Sequence, residues 1–256
     1  MSVFEIAGHA VPSGERAIVD IPVSVLSDHT PMALSCQVIH GKRPGPAAFV
    51  SGAIHGDEII GVEIVRRLLR TPQLKSLKGT LICVPIVNTF GFINHTRYLP
   101  DRRDLNRSFP GAATGSLAAR LARLFVDEIV SRCEVGIDLH SAAEHRVNLP
   151  QIRIDAGSKR VHELAQAFCA PVIVQSKLRD GSLRMAAREM GKDVLVYEAG
   201  EALRFDEQAI RVTARYDLGL LRPEGVVVLL DGVDLTLTAP RVAVIGENGS
   251  GKSTLA

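Results

Sequence analysis

The chain predicts an α/β fold: a mostly parallel, mixed sheet with helices on both faces, followed by a short, anomalous β-rich tail. Two observations predict the sheet. Apolar runs near residues 46–54, 79–87, 134–139, 170–175 and 193–198 are short and nearly continuous, as strands buried on both faces are. Between them lie stretches with apolar residues at i, i+3 and i+4, the spacing of a helix with one buried face. That alternation implies parallel strands joined by helical crossovers. At 256 residues, the chain is long enough to bury a substantial core in one large α/β domain.

Taken in order, residues 3–40 read as an amino-terminal β region. The buried strand Ala47-Ala48-Phe49-Val50-Ser51-Gly52-Ala53-Ile54 then gives way to a helix from about Glu58 to Leu69, where the run from Ile59 has the i, i+3, i+4 spacing of an amphipathic helix. The strand Thr80-Leu81-Ile82-Cys83-Val84-Pro85-Ile86-Val87 follows, and after it a polar, arginine-dense loop from Arg97 to Gly111. Further helices are expected near Ser116 to Ser131, Ser158 to Phe168, Leu183 to Met190 and Asp206 to Leu221. Strands intervene at 134–139, 170–175 and 193–198, and no internal repeat or low-complexity segment interrupts the series.

The chemistry gathers where strands end. His55-Gly56-Asp57-Glu58 lies at the carboxyl end of the first buried strand, and ligands of open α/β sheets bind outside such ends. A histidine and a glutamate three positions apart form a compact pair of metal ligands, although the spacing alone is a common surface accident. A second strand, Glu134-Val135-Gly136-Ile137-Asp138-Leu139, stops at His140. Two imidazoles and one carboxylate, with a fourth position left for water, make up the ligand set of a catalytic zinc. A structural zinc more often recruits cysteines, and Cys36, Cys83, Cys133 and Cys169 show no C-x-x-C spacing.

The loop between them, Arg97-Tyr98-Leu99-Pro100-Asp101-Arg102-Arg103-Asp104-Leu105-Asn106-Arg107-Ser108-Phe109-Pro110-Gly111, reads as a recognition loop for a carboxylate. A guanidinium offers a fork of donors that meets a carboxylate at two points, and an asparagine adds a neutral donor. A solvated basic loop is the plain alternative, and Arg102 and Arg103 are assigned to it. Another strand, Asp193-Val194-Leu195-Val196-Tyr197, runs into Glu198, a carboxylate able to move protons beside a zinc-bound water. Glu201, beyond Gly200, ranks second for that role.

Together, His55-Gly-Asp-Glu58, Asp104-Leu-Asn-Arg-Ser-Phe-Pro-Gly111, Asp138-Leu-His140-Ser and Tyr197-Glu-Ala-Gly200 resemble the succinylglutamate desuccinylase/aspartoacylase family, a branch of the zinc carboxypeptidase-like fold. The resemblance spans roughly residues 1–221, the expected catalytic domain. It implies that His55, Glu58 and His140 hold one zinc ion per chain and that Asn106 and Arg107 bind a substrate carboxylate. It also implies that Arg97 polarises the scissile carbonyl and that Glu198 is the general base. The implied reaction is hydrolysis of a small N-acyl amino acid, whose acyl group and amino acid are left open.

Composition excludes other classes. A formal charge of +2 with no dense basic stripe argues against nucleic acid as a partner. No apolar run reaches membrane-spanning length, and the start, Met1-Ser2-Val3-Phe4-Glu5, lacks the charged and apolar regions of a signal peptide. Unpatterned cysteines fit a reducing cytoplasm. A homo-oligomer is left open.

From about Arg222 the character changes. The runs Gly225–Leu237 and Arg241–Ile245 read as strands, and Gly246-Glu-Asn-Gly-Ser-Gly251-Lys252-Ser253 matches a phosphate loop directly after a strand. This stretch resembles the opening of an ABC-transporter ATPase. Such a loop works through the amino-terminus of the helix that follows it, and the sequence reaches Ala256 three residues past Ser253. Residues 222–256 are therefore expected to be a truncated tail and not an independent domain. A nucleotide-binding fragment built on Lys252 and Ser253 is the alternative reading of the chain.

Overall fold

A computed structural model describes residues 2–25, 28–155, 159–168 and 170–214. The expected tail, with its phosphate-loop-like run, lies outside the described residues, as do Cys169 and the last part of the helix expected to reach Leu221.

Four strands open the fold: β1 (Val3–Ile6), β2 (His9–Pro12), β3 (Arg16–Val25) and β4 (Pro31–His40). Then come β5 (Arg43–Gly52), α1 (Ile60–Leu68), β6 (Lys78–Val84), α2 (Thr89–Ile93) and α3 (Leu117–Glu128). The remainder is β7 (Val135–Ala142), β8 (Asn148–Ile154), α4 (Lys159–Phe168), β9 (Val172–Gln175), α5 (Leu183–Glu189), β10 (Asp193–Glu201) and α6 (Glu207–Ala214). β1 and β2 form a small antiparallel ribbon, and the other strands make one eight-stranded sheet in the order β3-β4-β6-β5-β7-β10-β8-β9.

Strands β6, β5, β7 and β10 run parallel at the centre of this sheet. β4 and β8 flank them antiparallel. Every residue of β7 is buried, which is why its sequence is continuously apolar up to the functional residues. On one face, Val50, Leu81, Ile137, Leu139, Leu195 and Tyr197 pack under Ile60 and Ile64 of α1, Leu164 and Phe168 of α4 and Ile210 of α6. On the other, Phe49, Ile82, Val84 and Val194 pack under Leu121 and Phe125 of α3 and Ala186 and Ala187 of α5. Helices cover both faces, as the alternation predicts.

Three differences from the sequence expectation bear on the site. β7 continues to Ala142 and β10 to Glu201, so His140 lies inside its strand and not just beyond it, and Glu198 is not the last residue of its own. β8 was not anticipated, because a proline within a run argues against a strand; Pro150 is nonetheless buried in phase with Ile152 and Ile154, with Gln151 and Arg153 less buried between them. α2 is a single short turn capped by Asn88, whose Oδ1 accepts from the Gly91 N–H at 2.8 Å.

Candidate active site

The loop after β5 and the end of β7 bring His55, Glu58 and His140 together. The three are almost fully buried, and one donor atom from each lies within 4.8 Å of the other two. Glu58 stands between the imidazoles: its Oε1 is 2.7 Å from Nδ1 of His55 and its Oε2 is 2.7 Å from Nδ1 of His140. The backbone N–H of Ser141 donates to the same Oε2 at 3.2 Å.

Both imidazoles turn their other nitrogen to a carboxylate. Nε2 of His140 lies 2.6 Å from Asp138 Oδ2, and Nε2 of His55 lies 3.2 Å from Asp104 Oδ1. An outer carboxylate that fixes the tautomer, leaving the inner nitrogen as a lone pair, is the usual environment of a metal-ligating histidine. The donor set, its burial and this outer shell fit a zinc ion. Asp138 is in turn held by Ser51, whose Oγ donates to Oδ1 at 2.9 Å. Asp104 is gripped by Arg97 through Nε at 3.1 Å and Nη2 at 2.9 Å.

Electrostatics follow from this packing. Burial works against a charged His140, but the Asp138 and Glu58 carboxylates overcome it and raise its pKa well above the ordinary value. Burial likewise opposes the ionised Glu58, and the two imidazoles reverse that and hold its carboxyl well below the usual range.

A cavity of about 550 Å³ opens beside these residues. Its wall carries His55, Glu58, His140, Arg97, Asn106, Arg107 and Glu198, so the structure gathers every residue expected from the sequence at one place. Asn106 and Arg107 occupy a short 3₁₀ turn, where Asn106 Oδ1 accepts from the Leu183 N–H at 2.9 Å. That leaves the amide NH₂ of Asn106 as its available donor group. Arg107 makes no ion pair among the described residues; burial lowers its pKa, with Arg179 and Arg97 adding to the effect. Burial raises the pKa of Glu198, partly offset by His140 and Arg153. Glu201 does not line the cavity: it accepts from the His145 N–H at 2.8 Å and pairs with Arg204 at 2.7 Å. Arg102 and Arg103 are exposed, as assigned.

Sequence reasoning missed several residues of this wall. Asp138 precedes His140 by two positions, which places both on one side of a strand, and that spacing was the available signal. Asn148 and Arg153 arrive on the unanticipated β8, and Arg184 on α5. Nε of Arg153 and Nη1 of Arg184 are buried without a partner among the described residues.

Comparison with known proteins places this arrangement. The N-alpha-acetyl-L-2,4-diaminobutyric acid deacetylase of Halomonas elongata is 30% identical over 182 residues, which are 68% of this chain and 53% of that protein. The chain thus spans about half the length of that relative. The product-bound structure of the ectoine utilization protein EutE (DoeB) from Ruegeria pomeroyi aligns with a TM-score of 0.75 at 23% identity, over 91% of this chain and 72% of that one. A succinylglutamate desuccinylase/aspartoacylase from Rhodobacter sphaeroides gives 0.70 at 24% identity, over 78% and 62%. At these identities the two structures show a shared fold. The description of the succinylglutamate desuccinylase/aspartoacylase catalytic domain matches residues 44–223, most of the chain and all of the candidate site. The chain belongs to the succinylglutamate desuccinylase/aspartoacylase family.

Proposed function

We propose that this protein is a zinc-dependent hydrolase that cleaves the amide bond of a small N-acyl amino acid, releasing a carboxylate and a free amine. The observation that carries the reading is the convergence on one cavity of a buried His-Glu-His ligand set, a buried carboxylate and several guanidinium groups. The deacetylase named above acts on an amide of this kind, which supports the reaction class. Residues 1–221 form the catalytic domain in this reading. Buried free thiols at Cys36, Cys83 and Cys133 support a reducing compartment such as the cytoplasm.

Zinc held by His55, Glu58 and His140 supplies Lewis acidity and makes water more acidic. Glu198 takes a proton from the attacking water and delivers it to the departing nitrogen. Its burial suits the task, because a raised pKa makes the carboxylate a stronger base toward the attacking water. Arg97, held in place by Asp104, brings positive charge to the side where the carbonyl oxygen becomes negative. Arg107 and the Asn106 amide bind the substrate carboxylate. Arg146, Arg179 and Arg184 on the same wall add to the preference for an anionic substrate.

The test couples metal analysis to a panel of N-acyl amino acids assayed for amine release. One zinc per chain is expected, with amine release lost on chelation and restored by added zinc. Amine release by rigorously metal-free protein would overturn the reading.

A further inference from the structure

Strand β8 brings two donors to Glu198. Asn148 Nδ2 donates to Glu198 Oε2 at 2.6 Å, and Arg153 Nη1 lies 3.3 Å from Oε1. Asn148 and Arg153 are an odd number of residues apart, which in a regular strand sets side chains on opposite faces. The pairing with β10 resolves this. Val196 pairs with Arg153, Glu198 with Gln151 and Gly200 with Asn148, so β8 advances three residues where β10 advances two. The extra residue is a β-bulge within Leu149-Pro150, and it turns Asn148 to the side that Arg153 occupies. Proline suits that position, since it has no N–H to contribute to the ladder.

We infer that Asn148 and Arg153 are positioning residues that clamp the two oxygens of Glu198, and that the bulge at Pro150 exists to complete the clamp. The inference rests on the general-base reading of Glu198. A glutamate has several rotatable bonds, and two donors on separate oxygens select one orientation and leave the remaining lone pairs facing the cavity. A base must be aimed, and the clamp does this through both oxygens.

The experiment uses the N-acyl amino acid that the parent protein turns over fastest, and compares Asn148→Ala, Arg153→Ala and Arg153→Lys alone and combined with Glu198→Gln. Each alanine variant is expected to lower kcat on the order of 10-fold or more with KM changed by less than about 2-fold, since misaiming a group costs rate and not binding. Arg153→Lys, which keeps the charge, is expected to recover part of the loss. In the Glu198→Gln background the alanine variants are expected to cost nothing further, because there is no base left to aim. An undiminished loss in that background, or a loss carried by KM, would overturn the clamp and make these residues substrate contacts. A parental kcat in Glu198→Gln alone would instead remove the base assignment. Crystal structures of zinc-loaded parent and Asn148→Ala give a readout without substrate: the Glu198 carboxylate is expected in one orientation in the parent and displaced in the variant. An unmoved carboxylate overturns the proposal.

Discussion

Glu198 and His140 are register partners on adjacent parallel strands, β10 and β7. Neighbouring strands lie about 4.8 Å apart, and paired residues project to the same side of the sheet. The proposed base is therefore placed beside a proposed metal ligand by the sheet itself and not by a mobile loop. After Glu198 the register shifts, and the two strands pair again at Glu201 and Ala142. Glu198→Gln keeps the shape of the side chain and is expected to retain zinc while kcat falls by a factor on the order of 10²–10⁴, as expected for lost acid–base help. Metal content measured alongside kcat checks this; loss of zinc would make Glu198 a structural or ligating residue.

The outer shell makes a second prediction. Asp138 is fully buried and joins Ser51 to His140. Asp138→Asn preserves volume but removes the charge that orients the imidazole, and zinc affinity is expected to drop by about 10- to 100-fold. Competition with a chelator of known affinity measures the change. Unaltered affinity would mean that the strand alone orients His140.

How much of this was legible in the sequence differs from layer to layer. The central strands were readable because burial on both faces leaves no polar alternation, and their ends because ligands sit at strand ends in such sheets. That logic located His55, Glu58, His140 and Glu198. It did not locate Asn148 and Arg153, because Pro150 disguises β8 and because the bulge that aligns them is a relation between two strands. It also did not separate the tasks within Asp104-Leu105-Asn106-Arg107. There Asp104 turns inward to His55 and Arg97 while Asn106 ties the loop to α5, contacts between distant segments that no local spacing encodes.

Gly56 shows the cost of crowding the ligand loop. A Cβ added there would lie 1.9 Å from the carbonyl carbon of Gly91 and 2.2 Å from the Phe92 nitrogen, both backbone atoms of α2. The two segments cannot separate without moving His55 and Glu58, which lie one residue before and two residues after Gly56. Gly56→Ala is expected to destabilise the fold by about 1–3 kcal/mol, the range for overpacking, and to weaken zinc binding as well. Denaturant midpoint and metal content report the two effects; a variant with parental values for both would mean that α2 is free to move away.

Acid sensitivity is expected from the surface network that joins α1 to α6. Arg66 and Arg67 bond Glu63 at 2.5–2.7 Å, and Arg67 also bonds Glu207 at 2.7 Å and 2.9 Å. Hydrogen bonds from Arg66, then from Arg67, bring the Glu63 carboxyl down to about 2, and those from Arg67 and Arg211 bring Glu207 down to about 2. Folded-state pKa values below the ordinary 4.5 mean stability that is present above pH 4.5 and is lost as pH falls toward 2. Arg67→Ala is expected to flatten the fall in denaturation midpoint between those limits, and high salt to shrink the difference, since Arg66 and Glu207 are exposed to solvent. Parallel pH profiles for parent and variant would exclude this network as a source of acid sensitivity.

The last prediction concerns Arg107. Its guanidinium faces the cavity without a carboxylate partner among the described residues, while Asn106 beside it is anchored through Oδ1 to the Leu183 N–H. If the pair clamps the substrate carboxylate, Arg107→Lys is damaging although charge is kept, because an ammonium cannot reproduce two parallel hydrogen bonds. The loss is expected mainly in kcat/KM, since a misplaced substrate forfeits orientation as well as binding. It is also expected to be selective: an amidated substrate is a poor one for the parent and is little affected by the substitution. Equal losses on carboxylate and amide substrates would show that Arg107 supports the loop and recognises nothing. Arg102→Ala and Arg103→Ala are the controls, with small effects expected because both side chains lie in solvent.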